Sequence, residues 1–373
     1  MVDQKEWFKK YYSNAKIFVK NIEKREFGVS FDKDKKIEQR HISFKNDREL
    51  MDYLSQNVPF YISYSAAYYN YPSMPMEKKE WLGAELVFDL DANDLNLECK
   101  KVHGSENICS NCFEAIKEEA LKLIDFLIYD FGFKKEEINV NFSGNRGFHF
   151  HVENEEILKL SSYARREICD YLSANGLEFE NFFYEVPSPA NPRQKILHGP
   201  KPSDYGWYGK LANLLLNSLD SLDKLIEIGI PKKEAKKLFE KKDIIKLGIM
   251  QGNWDMVYIK NKKKFWKDFI EKQKIKLKEV VDTNVTIDTS RLIRLPDSIH
   301  GGSSLIAKKI DLNEIQQFSL NEAVIPSKEK VKVKINIPYD FDLFGYKLKK
   351  GSEELEVPIG EALYFYSKGW LIE

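Results

Sequence analysis

An apolar run that ends in two aspartates is the feature that most constrains the fold of this chain. Residues 86–91 read Leu, Val, Phe, Asp, Leu, Asp, and a β-strand through them would place Asp89 and Asp91 on one face, roughly 6 to 7 Å apart. Two carboxylates in one patch at the edge of a core cost free energy unless a cation compensates them. Mg²⁺ prefers carboxylates together with substrate phosphates, so the pattern favours phosphoryl or nucleotidyl transfer. A polar turn is the commoner explanation of an isolated pair, so the metal interpretation needs support from other residues.

The composition is that of a folded, globular chain. Its 373 residues are 43% hydrophobic and carry no net charge, so any affinity for nucleic acid must come from a local patch. Residues 260–278 hold nine lysines against two acids, which suits a surface that follows a nucleic-acid backbone or, more commonly, the solvated face of an amphipathic helix. No apolar stretch approaches the ~20 residues of a membrane-spanning helix, and the N-terminus lacks the apolar segment of a signal peptide. We therefore expect an intracellular protein without a membrane partner.

Hydrophobic periodicity divides the chain into mixed and helical parts. The pattern predicts a helix over the first ~25 residues, strands within 27–44 and 60–69, a helix at 113–131, alternating strands at 139–152, a wholly helical stretch at 207–278, strands at 280–288 and 331–337, and a last helix at 359–367. This order indicates a helical subdomain inserted into a mixed α/β domain.

Three cysteines and a histidine lie within fourteen residues. The spacing Cys99-x3-His103-x5-Cys109-x2-Cys112 is typical of the tetrahedral N/S ligand set of Zn²⁺. Disulfides are disfavoured inside cells, which leaves a loop with free cysteines as the alternative. Four protein ligands leave no open position, so we expect a structural zinc that closes a long loop.

Polar side chains converge in the segment from Phe142 to Val152. A strand at its end would bury Phe148 and Phe150 and place His149 and His151 on the opposite face, beside the turn that holds Ser143 and Arg146. Ser, Arg and His side chains suit phosphate oxygens, and two glycines let backbone N–H groups approach a ligand. An ordinary hairpin with solvent-facing histidines fits the pattern equally well.

A third acid follows the apolar segment that ends at Asp288. Arg291 and Arg294 would share a face if the next turn is helical, and His300 follows. An aspartate in this position is more commonly an N-cap. If Asp288 joins the other two aspartates, a site for two cations is plausible, and Arg294 with His300 would supply positive charge for a triphosphate.

Taken together and in this order, these motifs resemble the small catalytic subunit of archaeal and eukaryotic DNA primase. That family has an Asp-x-Asp strand, then Ser-Gly-x-Arg-Gly-x-His, then a later aspartate followed by a basic residue and a histidine. The matching positions here are Asp89 and Asp91, then Ser143, Arg146 and His149, then Asp288 with Arg294 and His300. The Cys/His loop resembles the family's zinc knuckle, and residues 24–27 and 40–44 resemble segments near its nucleotide sites, which adds Glu26 and Arg40.

The resemblance implies a fold and a reaction. It implies a mixed α+β fold in which residues 1–206 and 280–373 form a primase-type catalytic domain around mixed or antiparallel sheets, with a zinc-binding loop at about 99–112 and an inserted all-helical subdomain at 207–279. The implied activity is a nucleotidyltransferase, a DNA-directed RNA polymerase that makes short primers for DNA replication. We hypothesise that Asp89 and Asp91 bridge two Mg²⁺ or Mn²⁺ ions and that Asp288 holds the ion beside the attacking 3′-hydroxyl. The remaining matched residues would bind the nucleotide.

The implied partners are single-stranded DNA, nucleoside triphosphates and a large primase subunit in a heterodimer, in the cytoplasm at the nucleoid or, in a eukaryote, in the nucleus. One departure is Asn145, where many members have arginine, so we expect weaker triphosphate binding or compensation, without loss of activity. Two alternatives stay open: a related repair polymerase that only extends primers, and a non-catalytic zinc-containing subunit that binds nucleic acid.

Overall fold

A computed structural model describes residues 3–189, 191–256, 259–278 and 281–372. The chain forms two compact units. The first comprises Met1–Ile124, Phe133–Cys169 and Val280–Glu373, and the second comprises Asp125–Gly132 and Asp170–Glu279. Every described strand pairing is antiparallel. The predicted mixed α/β fold class is therefore confirmed.

Two four-stranded sheets organise the first unit. The aspartate sheet has the strand order Lys309–Ile310, Ile138–Phe142, Gly147–Val152, Leu86–Asp91, and the flanking sheet has the order Leu292–Arg294, Tyr61–Ser65, Phe27–Ser30, Gln39–Ile42. The remaining strands form two-stranded pairs: Ala67–Tyr69 with Trp81–Ala84, Ile299–His300 with Leu305–Ile306, Lys330–Ile337 with Gly351–Pro358, and Phe341–Leu343 with Tyr346–Leu348.

Alternation along the aspartate strand, Leu86–Asp91, separates an apolar face from a polar one. Phe88 lies opposite Phe150 of the histidine strand, Gly147–Val152, whereas Asp89 lies opposite His149. The apolar face packs against the helix Ser110–Asp125, whose Phe113 stacks on Phe148 with ring centroids 5.9 Å apart. Because side chains alternate across a strand, burying the phenylalanines directs the acids and histidines to the other face.

Helices cover the sheets of the first unit and close its ends. They are Gln4–Asn14, Asp47–Asn57, Lys100–His103, Ser110–Asp125, Glu155–Leu158, Ser162–Leu172, Thr283–Ile287 and Ile359–Ser367. The last of them confirms its prediction. The first is shorter than predicted: the Asp3 side chain caps it by accepting hydrogen bonds from the N–H groups of Lys5 and Glu6, and the backbone becomes extended at Ala15.

One predicted strand is wrong. Residues 280–288 were expected to be extended, yet Thr283–Ile287 is helical, and Val280 lies outside the described residues. The Asp282 side chain accepts a hydrogen bond of 2.9 Å from the N–H of Asn284. This N-cap outweighs the β-propensity of the valines and threonines around it.

The second unit is wider than the predicted helical insertion. Its longer segment begins at Asp170 rather than at residue 207, and this segment contains the hairpin of Tyr184–Pro187 with Lys195–His198. Aromatic packing explains the difference, because Phe183 lies 5.1 Å from Trp254 between ring centroids and therefore belongs to the same core. Its helices are Phe179–Phe182, Gly206–Ser218, Leu222–Glu227, Lys232–Glu240, Lys242–Met250 and Lys262–Lys278.

The lysine-rich segment is the amphipathic helix Lys262–Lys278. Trp266 and Phe269 are buried, while Lys263, Lys264 and Lys267 are exposed. The side chains of residues 274–278 lie outside the description. The commoner interpretation, a solvated helix face, fits the described part.

Candidate active site and metal centre

The three predicted acids line one cavity of the first unit. This aspartate cavity has a volume of about 320 Å³, and Asp89, Asp91 and Asp288 all contribute to its wall. A hydrogen bond of 3.2 Å from the N–H of Asp282 to the carbonyl of Asp89 fastens the helix Thr283–Ile287 to the aspartate strand. Asp288 directly follows that helix, so this contact brings the third acid to the first two.

Asp89 is in an environment that disfavours its negative charge. Burial, followed by the nearby carboxylates of Asp91 and Asp282, raises its pKa to about 7. Lys36 and Arg291 oppose the shift without cancelling it. A carboxylate crowded by others is stabilised by a bound cation, so the acid cluster fits the divalent ions that the sequence predicts.

Asp91 is held in place by hydrogen bonds from Arg146. The guanidinium donates from Nε to Oδ1 at 3.2 Å and from a terminal nitrogen to Oδ2 at 3.1 Å. Asp91 also accepts a hydrogen bond of 2.8 Å from the N–H of Asn93. Arg146 was predicted to bind phosphate, and here it lines the cavity while it orients Asp91.

Asp288 stabilises the turn that leads into the strand Leu292–Arg294 of the flanking sheet. Its Oδ1 atom accepts hydrogen bonds from the N–H of Ser290 at 2.9 Å and from the Ser290 hydroxyl at 2.7 Å. The N-cap interpretation is wrong, because Asp288 is the C-cap of the preceding helix Thr283–Ile287 and the next regular element is the strand Leu292–Arg294. The helical turn proposed for Arg291 and Arg294 is also wrong, since Leu292–Arg294 is a strand.

The turn between the two central strands of the aspartate sheet requires its glycine. The Ser143 hydroxyl oxygen accepts hydrogen bonds from the N–H groups of Asn145 and Gly147. Gly144 has a φ of +81°, and a Cβ atom there would lie 2.8 Å from the Cβ of His300. The turn therefore brings Ser143, Asn145 and Arg146 into the cavity beside His300.

Both predicted histidines line the cavity in a neutral state. Burial, with further contributions from charged neighbours including Arg294, lowers the pKa of His149 and of His300 well below the usual value. The Nε2 atom of His149 lies 3.5 Å from Asp89, and Nδ1 of His300 lies 3.1 Å from the Ser303 hydroxyl. Burial therefore disfavours the positive charge that was expected of His300.

Arg294 is a buried cation that suits an anionic ligand. It is 7% exposed and lies 4.7 Å from the centroid of the Tyr61 ring. Burial lowers its pKa to about 10, so it stays charged at neutral pH. Among the described residues no carboxylate forms an ion pair with it. A buried charge without a counterion is costly, and a phosphate in the cavity would compensate it.

Glu26 does not line the cavity, contrary to its predicted nucleotide-binding role. Its side chain is fully buried and accepts hydrogen bonds of 3.0 and 3.2 Å from Arg40. Arg40 does line the cavity. Glu26 therefore positions a cavity residue without facing the cavity itself.

Sequence inspection missed several cavity residues. Lys36, Ser63 and Ser290 line it. Arg291, which the sequence pattern paired with Arg294 without giving it a role, lines it too. Ser63 could have been inferred only from strand pairing, because it lies opposite Arg294. The cationic side chains of the wall are Lys36, Arg40, Arg146, Arg291 and Arg294.

The predicted zinc ligands form a single cluster. One donor atom from each of Cys99, His103, Cys109 and Cys112 lies within 4.8 Å of the others. The Nδ1 atom of His103 bonds the carbonyl of Gly104 at 2.8 Å, which leaves Nε2 as the lone-pair donor toward the thiols. Hydrogen bonding from Cys112 lowers the pKa of the Cys109 thiol to about 5. This donor set fits a structural Zn²⁺.

The zinc-binding loop contacts the wall of the aspartate cavity. Arg146 donates a hydrogen bond to the carbonyl of Ser105 and lies 3.4 Å from a carboxylate oxygen of Glu106. Lys368 also donates to the carbonyl of Glu106, at 2.8 Å. Arg146 thus joins the loop to Asp91.

No helix within the described residues is long and apolar enough to cross a membrane.

The comparisons with known proteins all indicate the same family. The profile of the DNA primase small subunit matches residues 88–312, a span that contains the three aspartates and the zinc ligands. The chain is 35% identical to the DNA primase small subunit PriS of Methanococcoides burtonii, over 97% of this chain and 95% of the relative. The corresponding values are 34%, 97% and 94% for PriS of Methanosarcina acetivorans, and 30%, 97% and 95% for PriS of Nitrosopumilus maritimus. Because the likeness extends over nearly the full length of each relative, the chain belongs to the DNA primase small subunit family.

Proposed function

We propose that this chain is the catalytic subunit of a DNA primase, which synthesises short primers de novo on single-stranded DNA. The supporting observation is the aspartate cavity, where three carboxylates share one wall with five cationic side chains. Carboxylates suit divalent ions, and arginines suit the phosphates of a nucleotide. Family membership implies an enzyme of the nucleotidyltransferase type.

The acids of the cavity would hold the catalytic ions. Bound at Asp89, Asp91 and Asp288, two Mg²⁺ or Mn²⁺ ions would supply an activated 3′-hydroxyl and neutralise charge on the triphosphate. Arg146 holds the Asp91 carboxylate in one orientation through two hydrogen bonds. Such preorganisation lowers the reorganisation needed when a substrate enters.

The other cavity residues would bind the incoming nucleotide. Arg294 offers a buried positive charge to the phosphates. His149 and His300, being neutral near pH 7, can donate or accept hydrogen bonds without adding charge. Ser143 presents its hydroxyl at the glycine turn. Together these groups favour the in-line arrangement that phosphoryl transfer requires.

Partners and subdomain roles complete the proposal. The substrates would be a single-stranded DNA template and nucleoside triphosphates, and a large subunit would form a heterodimer with this chain. Zinc at the Cys/His cluster would stabilise the loop that contacts Arg146. Catalysis would lie in the first unit, with residues 207–279 as an accessory helical insertion.

Primer synthesis on a homopolymer template tests the proposal. Purified protein is incubated with labelled nucleotides and Mg²⁺ or Mn²⁺, without primer. We expect Asp89→Asn to lower the rate about a thousandfold, because the loss of a metal ligand removes several kcal/mol of transition-state stabilisation. Asp94→Asn is the matched control, since Asp94 is exposed and lies outside the cavity wall.

Repeating the assay with a primer, and measuring template binding beside it, separates the alternatives. Products that form only when a primer is supplied would indicate a repair polymerase. Template binding without incorporation under either metal would indicate a non-catalytic subunit. An Asp89→Asn protein with full metal-dependent activity would refute the proposed site.

A further inference from the structure

Lys36 lines the aspartate cavity from a loop that has no role in the proposed reaction so far. The loop, residues 31–38, joins the paired strands Phe27–Ser30 and Gln39–Ile42 of the flanking sheet. Lys36 is exposed, and it contributes to the cavity wall together with the next residue, Ile37. Among the described residues no carboxylate forms an ion pair with Lys36. Its charge is therefore available to a ligand.

Hydrogen bonds hold the loop on both sides of Lys36. Before it, the Tyr61 hydroxyl donates a hydrogen bond of 2.9 Å to the carbonyl of Lys33. After it, the N–H of Glu38 donates a hydrogen bond of 2.9 Å to the carbonyl of Val29. Because both ends of this short segment are anchored, the side chain of Lys36 starts from a fixed point on the cavity wall.

Tyr61 also contacts two side chains that would bind the nucleotide. The guanidinium carbon of Arg294 lies 4.7 Å from the centroid of the Tyr61 ring. The ring of His300 lies 5.2 Å away, centroid to centroid. Tyr61 is itself buried. One buried aromatic side chain therefore contacts the loop of Lys36, Arg294 and His300 at once.

The positive charge of Lys36 affects three other cavity residues. Burial lowers the pKa of His149 and of His300 well below the usual value, and Lys36 contributes to both shifts. Burial and nearby carboxylates raise the pKa of Asp89, and Lys36 opposes that shift. Because interactions between charges weaken with distance, the amine of Lys36 lies in the neighbourhood of a predicted metal ligand and of both histidines.

The other lysines of the loop do not share this position. Lys33 and Lys35 are exposed but lie outside the cavity wall. Lys35 also lies 3.9 Å from a carboxylate oxygen of Asp32. Of the three lysines in the described loop 31–38, only Lys36 lines the cavity. A lysine without a counterion beside a metal site suits a phosphate group, which it binds as a point charge.

We propose that Lys36 binds the phosphates of the incoming nucleotide. This inference rests on the proposed function, because it takes the aspartate cavity as the nucleotide site. Arg294 is buried and Lys36 is exposed, so the two cations would bind the triphosphate from its buried side and from its solvent-facing side. Divalent ions at the three aspartates would leave both cations for the phosphates.

Binding of a non-hydrolysable nucleoside triphosphate with Mg²⁺ to the full-length chain tests the inference. Lys36→Gln removes the charge and keeps most of the side-chain length. It should weaken binding about tenfold, which corresponds to one charge-assisted hydrogen bond. Lys36→Arg keeps the charge and should retain most of the affinity. Lys35→Gln is the matched control from the same loop and should bind like the native chain.

Two further probes show whether Lys36 contacts phosphate. Inorganic triphosphate has no base or sugar, so Lys36→Gln should weaken its binding with Mg²⁺ to a similar extent. Mn²⁺ alone should bind Lys36→Gln at least as tightly as it binds the native chain, because a lysine near Asp89 repels a cation. Weaker binding of Mn²⁺ alone would mean that Lys36 acts through the acids, and this result would overturn the inference.

The remaining outcomes separate this inference from the proposed function. Unchanged nucleotide affinity in Lys36→Gln, an equal loss in Lys36→Arg or Lys35→Gln, or unchanged affinity for inorganic triphosphate would overturn Lys36 as a phosphate ligand. Primer synthesis by the native chain would then still support the proposed function. If Lys36→Gln loses affinity as expected but the native chain makes no primers, the proposed function fails and Lys36 remains a phosphate ligand. A native chain that binds no nucleotide would contradict both.

Discussion

At the scale of single residues, two features of the aspartate cavity are decided by electrostatics and backbone conformation. Burial, followed by the neighbouring carboxylates of Asp91 and Asp282, raises the pKa of Asp89. Gly144 is required because its φ is positive and because His300 occupies the space of a side chain. Sequence inspection identified Asp89 as a candidate ligand. It could not identify Asp282 as the neighbour that shifts its pKa, since that depends on how a helix packs on a strand.

The pKa of Asp89 predicts how metal-free stability depends on pH. The folded-state pKa of about 7 exceeds the ordinary value of 3.8, so the folded protein binds this proton more tightly than the unfolded chain. The stabilisation of the folded state by the proton on Asp89 is complete below about pH 4, and it is lost as the pH rises through about 7. In EDTA at pH 8, Asp89→Asn should therefore be more stable than the native chain by about 1 to 2 kcal/mol.

Thermal denaturation at pH 5 and pH 8, with EDTA or Mg²⁺, checks this prediction. Mg²⁺ should stabilise the native chain at pH 8 and leave Asp89→Asn nearly unchanged. Asp52→Asn alters an exposed aspartate outside the cavity wall and is the control. Equal stability of the native chain and Asp89→Asn in EDTA at pH 8 would contradict the cost of burying the Asp89 carboxylate beside Asp91 and Asp282.

Gly144→Ala should destabilise the fold by about 2 to 3 kcal/mol. The left-handed backbone costs about 1 to 2 kcal/mol for a residue with a Cβ atom, and the close approach to His300 adds strain. Gly345→Ala is a matched control, because its φ is +84° and no atom lies within 4 Å of an added Cβ. Urea denaturation of the two variants separates the cost of the left-handed backbone from the strain of the His300 contact. Equal losses would show that the His300 contact contributes nothing.

At the scale of elements, the zinc-binding loop and the aspartate strand meet through one arginine. Arg146 bonds the carbonyl of Ser105 in the loop and both carboxylate oxygens of Asp91. The cysteine spacing predicted the ligand cluster. This contact was not predictable, because it depends on where the glycine turn at residue 144 directs the following side chain.

Loss of zinc should therefore weaken nucleotide binding as well as loosen the loop. Cys99→Ser is expected to lower the zinc content, which is measured with a colorimetric chelator. Because the loosened loop no longer holds Arg146, the variant should also bind a nucleotide with Mg²⁺ about fivefold or more weakly. Cys169→Ser is the control, since this buried cysteine lies outside the cluster. Unchanged nucleotide affinity in a zinc-free, folded Cys99→Ser protein would separate the loop from the site.

At the scale of the whole molecule, local sequence patterns predicted individual helices and strands better than the limits of the two units. The aspartate strand, the hairpin of the aspartate sheet and the last helix follow from alternation and helical spacing over short windows. The start of the longer segment of the second unit at Asp170 does not, because it depends on the contact of Phe183 with Trp254, seventy-one residues apart. The buried position of Glu26 likewise arises from tertiary packing alone.

Counting the divalent ions bound at Asp89, Asp91 and Asp288 shows most directly whether these three carboxylates form one metal site. Mn²⁺ binding is measured by electron paramagnetic resonance in the presence of a non-hydrolysable nucleoside triphosphate. The native chain should bind two ions beyond those held by the nucleotide in free solution, and Asp288→Asn should lose at least one of them. If Asp288→Asn binds Mn²⁺ with native stoichiometry and affinity, the three carboxylates do not form one metal site.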